Sequence, residues 1–300
     1  MRLHRFFVEQ KLSSGGDLPA RAAIVLVAGK TGGKIVGKIK IENDELIHQW
    51  RNVLRFQVGQ EVILLDNSGL EFRAVIVSIG NRSAEVEILE SRRVDFAPPF
   101  LVFLYIALTK RHSFEWTLEK GTELGVSGFV PIISERSEKK SLKIERSKNI
   151  IKEACEQSGR AVLPEIFEQV TLVKSLENLC AEFSSELPSK LFSENSAETF
   201  PEISFALDPT GEPFDAQKTK LNDMRQKEEQ TEEQTSKAGT SIRQSVGKRV
   251  NIFIGPEGGF SPREIELFRE RDIPIYSISK QILRAETAAV AIASIMLLSR

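Results

Sequence analysis

Apolar positions in residues 1–92 come in short runs: AIVLVA at 23–28, KIVGKIKI at 34–41, QEVILLD at 60–66, EFRAVIVSI at 71–79 and SAEVEIL at 83–89. They are rich in Val and Ile and are separated by Gly, Asn and Asp, the pattern of short strands joined by turns. Asn67-Ser68-Gly69 is one such turn. Several strands at this spacing predict a small β-barrel over 1–92. Between them, DELIHQWRNVLRF at 44–56 places Ile47, Trp50, Val53 and Leu54 at helical intervals, followed by Gly59.

Past RRVDFAPP the pattern changes. FLVFLYIAL at 100–108 is apolar throughout, as a strand covered on both faces would be. SFEWTLEKGTELG at 113–125 predicts a helix with Phe114, Leu118 and Gly121 on one face and Gly125 as its stop. GFVPII at 128–133 reads as a strand, and 143–159 as an amphipathic helix through Ile144, Ile151, Ala154 and Cys155. ISFALD (203–208), VNIFIG (250–255) and PIYSIS (274–279) read as strands, and RAETAAVAIASIMLL (284–298) as an Ala-rich helix able to pack closely. Alternating strands and helices predict a mostly parallel α/β domain over 93–300. Residues 213–247 are polar and low in complexity, too poor in apolar surface to offset their ordering entropy, and predict a disordered insertion.

Charge changes the picture only through its distribution. The net charge is −1 over 300 residues. Residues 161–212 carry 2 Lys/Arg against 10 Asp/Glu, whereas 110–160 carry 11 against 8. The densest basic stretch, SERSEKKSLKIERSKNIIK at 134–152, is either a solvated helix face or an RNA-contacting surface. Cys155 and Cys180 show no metal-ligand spacing and read as buried reduced thiols. His4, His48 and His112 have no zinc-type spacing, so no metal is expected. No apolar run approaches the ~18 residues of a membrane span, and a soluble cytoplasmic chain is expected.

Three stretches carry candidate chemistry. In NIFIGPEGGFSPREI (251–265), Ser261 and Glu264 have capping-box spacing with Pro262 at the first helical position. Gly255, Gly258 and Gly259 therefore fall between a strand's end and a helix's start, where open α/β sheets bind ligands. The spacing is neither GxGxxG nor a phosphate loop. It suits close backbone approach to a flat ligand, or simply a tight connection. In ISKQILRAETAAVA (278–291), Arg284 and Glu286 stand where a loop enters a helix, either as a surface ion pair or around a pocket shared with the glycines. In the third, Arg136 follows a strand while Gln157 and Arg160 end a helix. Arg suits phosphates and base oxygens, and a helix C-terminus equally favours it.

Taken in order, MRLHRFFV, HQWRNVLRFQVG, TELGV, VPIISERS, EACEQSGRAVLPEI, IGPEGGFSPREI and ILRAETAA resemble the bacterial 16S ribosomal RNA uridine-N3 methyltransferases, a branch of the SPOUT or α/β-knot enzymes. The resemblance runs nearly the whole chain. It implies an N-terminal PUA-like β-barrel that binds RNA and a C-terminal domain whose chain threads a deep trefoil knot. It implies S-adenosyl-L-methionine as methyl donor, held by Ile254, Gly255, Pro256, Glu257, Gly258 and Gly259 with Ile278, Ser279, Ile282, Leu283 and Ala288. It implies a homodimer and, as target, N3 of a uridine of 16S rRNA (the family's uridine 1498) in the small ribosomal subunit. Under this reading Arg284 and Glu286 are catalytic, and Arg2, Arg5, His48, Arg55, Lys110, Arg136, Gln157 and Arg160 contact RNA. The competing readings are a related enzyme acting on another RNA position and a non-catalytic ribosome-assembly factor. The chain departs from the family pattern at Ile278-Ser279 and Gln281, where Leu-Gly and then Arg are usual. It departs again at Ser147, where Trp commonly follows Arg.

Overall fold

A computed structural model describes residues 3–12, 37–94, 101–138, 141–181, 202–215 and 249–298. The chain divides into two compact units, Met1–Phe96 with Lys152–Leu163, and Ala97–Ile151 with Pro164–Arg300.

In the first unit, β1 (Arg5–Phe7), β2 (Gly37–Ile41), β3 (Glu61–Leu65), β4 (Leu70–Ile79) and β5 (Ala84–Arg93) form one sheet in the order β1-β3-β4-β5-β2. All pairings are antiparallel except β1 with β3. Alternation along β4 and β5 turns Phe72, Ala74, Ile76, Val86 and Ile88 into one core with Phe6, Leu64 and Trp50. Each large side chain so buried contributes roughly 1.5–3 kcal/mol. The strand expected at 23–28 lies outside the described residues.

The helical stretch at 44–56 is shorter than its periodicity predicts. Asn43 caps α1 (Asp44–His48) by accepting from the Leu46 N–H at 2.9 Å. A π-helical turn, Gln49–Val53, follows. It closes with Arg55 at φ +53° and the Phe56 N–H donating to the Trp50 carbonyl at 2.8 Å. A left-handed residue just past the last turn ends a helix, and glycine is its usual occupant; the bond behind it here spans one residue more than a Schellman bond, as the wider π-turn requires.

The C-terminal half of α3 (Ile144–Ser158) and the loop after it cluster with this unit. The Glu156 carboxylate accepts from the Phe7 N–H at 2.8 Å. Cys155 is buried, and burial pushes its thiol up to about 12, so it stays protonated and inert. The side chain of Cys180 lies outside the described residues.

In the second unit a parallel sheet runs β12-β10-β11-β6-β7-β8, with β9 beside β7. Its strands are β6 (Leu101–Ala107), β7 (Gly128–Ile133), β8 (Glu165–Ile166), β9 (Val170–Thr171), β10 (Glu202–Pro213), β11 (Arg249–Ile254) and β12 (Ile275–Ser277). β11 is buried at every position, as a central strand covered on both faces must be. Phe103, Tyr105 and Phe253 pack with Leu172 and Leu176 of α4 (Leu172–Ala181) and Phe268 of α5 (Pro262–Arg269). The alternate positions Val102, Leu104 and Ile106 are equally buried. α6 (Ala285–Leu298) packs against β6, β11 and α2 (Arg111–Leu124), burying Ala285, Ala289, Ile292, Ala293 and Met296.

β10 runs further than ISFALD predicts. Its pairing with β12 breaks at Leu207 and resumes at Glu212, so 208–211 bulge out and Pro213 still pairs with Ser277. Residues 213–215 of the expected insertion are thus described, and 216–247 are not.

Candidate functional site

The site grows from the carboxyl ends of three neighbouring parallel strands, β10, β11 and β12, where open α/β sheets place their ligands. β11 leads into the glycines and β12 into residues 278–284. These two loops, together with the β10 bulge, wall a solvent-open cleft.

The first loop is held by its own backbone and by two braces. The Gly259 N–H donates to the Pro256 carbonyl at 2.8 Å, and Gly259 sits at φ +68°. A Cβ on Gly255 would stand 3.2 Å from the Phe260 nitrogen and 3.3 Å from its ring. The glycine there serves internal packing, while Gly259 serves the turn. The capping box at α5 is formed as its spacing predicts: Ser261 Oγ accepts from the Glu264 N–H at 3.2 Å, and Glu264 Oε2 from the Ser261 N–H at 2.8 Å.

Glu264 does more than cap. Buried to 3% exposure, its Oε1 accepts from the Glu135 N–H at 2.8 Å and its Oε2 from Ser134 Oγ at 3.3 Å. Arg136 completes the brace, donating from Nη1 to the carbonyls of Gly258 at 2.7 Å and Phe260 at 3.4 Å. The loop after β7 is thereby tied to the glycine loop.

The second loop is tied mainly to itself. Ser277 Oγ donates to the Ser279 carbonyl at 2.9 Å, and Ser279 Oγ accepts from the Gln281 N–H at 3.0 Å. The departures at Ser279 and Gln281 thus make a serine turn of their own. The other departure, Ser147, is buried, with its hydroxyl 3.4 Å from the Lys143 carbonyl. Ile282 stands 84% exposed at the rim of the cleft.

Of the positions expected around a cofactor, Ile254, Gly255, Pro256, Glu257, Gly259, Ile278, Ser279, Ile282, Leu283 and Ala288 all line this cleft, and Gly258 does not. Glu257 looks buried in the sequence, next to an apolar strand, yet it is exposed. It sits at the tip of the turn, its Oε1 accepting from the Lys110 backbone N–H at 3.5 Å. Sequence reading missed Asp208 and Tyr276, which also line the cleft, as does the departure Gln281. The signal for Asp208 was available: Asp-Pro-Thr-Gly at 208–211 is turn composition at a strand end.

Arg284 begins α6, its carbonyl accepting from the Ala288 N–H at 2.9 Å, and its side chain is exposed. The ordinary reading, an ion pair with Glu286, is not realised. Neither side chain has a hydrogen bond or salt bridge to any described residue, and Glu286 Oε2 is buried without a partner. Leaving a buried acceptor unsatisfied costs about 1–3 kcal/mol, and a catalytic role is one of the uses such a group serves.

The positions expected to meet RNA fall into distinct settings. His48 and Arg55 are exposed in the first unit, and Arg55 spends its left-handed backbone there. Arg5 is committed to buried Glu71 at 2.7 Å, and Arg92 holds the other Glu71 oxygen at 2.7 Å. Burial pushes the Glu71 carboxyl up, but the two guanidinium groups outweigh it and hold the group below the usual range. Gln157 is exposed, whereas burial pulls Arg160 below the usual guanidinium range. In the second unit Lys110 is exposed, with Nζ 3.6 Å from Glu138, and Arg136 is the loop brace described above. Arg2 lies outside the described residues.

Comparison with known proteins follows this division. Residues 97–297 match the family model described as RNA methyltransferase domain, and 51–89 match the RNA methyltransferase PUA domain. The chain is 30% identical to the ribosomal RNA small subunit methyltransferase E of Synechocystis sp., over 83% of this chain and 70% of that one. It is 27% identical to the protein of the same name from Rickettsia conorii, over 87% of this chain and 90% of the relative. In fold it is similar to the Neisseria gonorrhoeae enzyme of that name, solved bound to S-adenosyl methionine. The TM-score is 0.68 at 23% identity, covering 98% of this chain and 97% of the other. A putative methyltransferase of Legionella pneumophila, solved with its cofactor, gives a TM-score of 0.66 at 22% identity, with 99% and 97% coverage.

Proposed function

Because this chain belongs to the ribosomal RNA small subunit methyltransferase E family, we propose that it methylates N3 of a uridine in 16S rRNA, using S-adenosyl-L-methionine. The observation that carries this reading is the meeting of the 254–259 and 278–283 loops around one cleft. The lining suits that cofactor: apolar walls for an adenine, backbone and serine hydroxyls for its polar edges, and carboxylates with no Lys, Arg or His among the lining residues. A phosphate-bearing nucleotide would find no cation there.

When bound, S-adenosyl-L-methionine supplies an electrophilic methyl group on sulfur. What the chain must supply is an activated N3, because a neutral imide nitrogen keeps its proton and attacks poorly. Glu286, with an unsatisfied buried oxygen, accepts the N3 proton. Arg284, exposed and unpaired among the described residues, donates to the uracil oxygens over which the negative charge spreads. No side-chain nucleophile is needed. Residues 1–92 hold rRNA through exposed His48 and Arg55, largely by phosphate and shape, and 93–300 carry the chemistry. The deep trefoil knot, the homodimer and the cytoplasmic location near small ribosomal subunits belong to the same proposal.

Methylation of small subunits lacking the modification, followed by mass spectrometry of the nucleosides, tests it. 3-Methyluridine is expected, and methyl on another base or no transfer refutes it. Arg284→Ala should lower transfer about 10²-fold with cofactor affinity unchanged. Full activity in Glu286→Gln rejects proton acceptance by that carboxylate.

A further inference from the structure

We propose that Asp208 reads the charge on the methyl donor's sulfur, so that the cleft holds the cationic donor and releases its neutral-sulfur product. The inference rests on reading the cleft as the S-adenosyl-L-methionine site. Asp208 is 9% exposed, in the β10 bulge, and it lines the cleft. One of its oxygens is fully occupied. Oδ1 accepts from the Thr210 N–H at 2.9 Å and from Thr210 Oγ1 at 2.6 Å, and this turn fixes the carboxylate in place. Oδ2 has no hydrogen-bond partner among the described residues and lies beside Gly259, 3.7 Å from where a Cβ would stand.

The surroundings decide what that oxygen can do. Ile254, Ile278, Leu283 and Ala288 make the wall apolar, and no lining side chain is a base that could neutralise the carboxylate. Glu257 at the rim adds a second negative charge. A fixed carboxylate that is itself largely buried acts more strongly on a nearby charge than one in bulk solvent. The methyl donor and its product share the adenosine, the ammonium and the carboxylate, and they differ at sulfur. Transfer of the methyl group to N3 leaves the C–S bonding pair on sulfur, converting a sulfonium into a thioether. Only the donor therefore gains from a field that favours positive charge at that atom. Product release follows from loss of that charge.

Calorimetry on the full-length protein tests this with S-adenosyl-L-methionine, S-adenosylhomocysteine and sinefungin, whose amine replaces the sulfonium by another cation. The unaltered protein should bind both cationic ligands roughly tenfold more tightly than the neutral-sulfur product. Asp208→Asn keeps the shape and the Thr210 turn. It should weaken both cations about tenfold while leaving the product within about twofold. Glu257→Gln, at an exposed position, should shift the same ratio in the same direction by less, and it reports on the field even if Asp208→Asn folds poorly. Equal weakening of donor and product overturns the inference, because Asp208 would then be reading a group they share. Unchanged affinities overturn it too. Binding of none of the three ligands to the unaltered protein instead removes the cofactor reading itself, and this inference falls with it.

Discussion

The two loops that wall the cleft are built on opposite plans. Residues 255–260 are braced from outside their own segment, by Glu264 through Ser134 and Glu135 and by Arg136 on the Gly258 carbonyl. Residues 278–284 are braced almost only by a serine turn within the loop, and they leave Ile282 84% exposed. One wall is preformed, so ligand binding there costs little ordering entropy. The other has few external ties, as segments that move to close over a ligand do.

If the braces carry the first wall, Glu264→Ala should have the largest effect. It strands the N–H groups of Ser261 and Glu135 and should cost roughly 2–3 kcal/mol in denaturant unfolding. Donor binding should be lost in calorimetry. Gly211→Ala attacks the anchorage of the second wall. Its Cβ would lie 2.6 Å from the Ile275 carbonyl oxygen, so β10 and β12 must part. About 2 kcal/mol is expected, with donor affinity falling as 278–283 shift. Arg136→Ala removes an exposed donor and should cost about 1 kcal/mol. It separates two roles: a brace weakens the donor, whereas an RNA contact weakens rRNA binding alone. The smallest effect belongs to Ser279→Ala, about 0.5 kcal/mol in melting experiments, because the turn it breaks is local and solvent-facing.

The same contrast explains what the sequence could reveal. The first loop was legible because its grammar is local. A Ser and a Glu three apart with Pro between them can only cap a helix, and the glycines must then lie at a strand's end. The C-terminal bound of α2 was legible for the same reason, through Gly125 at φ +106°. Non-local contacts were not legible. Nothing within a few residues of Arg136 says that its guanidinium will find the Gly258 carbonyl 122 positions away. Asp-Pro-Thr-Gly marks a turn at 208–211, but that β10 resumes its pairing with β12 beyond it, leaving Asp208 in a bulge, shows only in the register. β8 and β9, two residues each, offer no periodicity to read. The helical intervals at 44–56 did not foretell the π-turn or the left-handed Arg55, where backbone geometry overrides the apolar pattern.

Hydrogen exchange, with and without S-adenosyl-L-methionine, tests the central claim that both loops grip one ligand. Without ligand, the amides of 255–260 should exchange slowly and those of 278–284 quickly. With ligand, both segments should slow together, the second by the larger factor. Protection of one loop alone, or of neither at saturating ligand, would contradict the account.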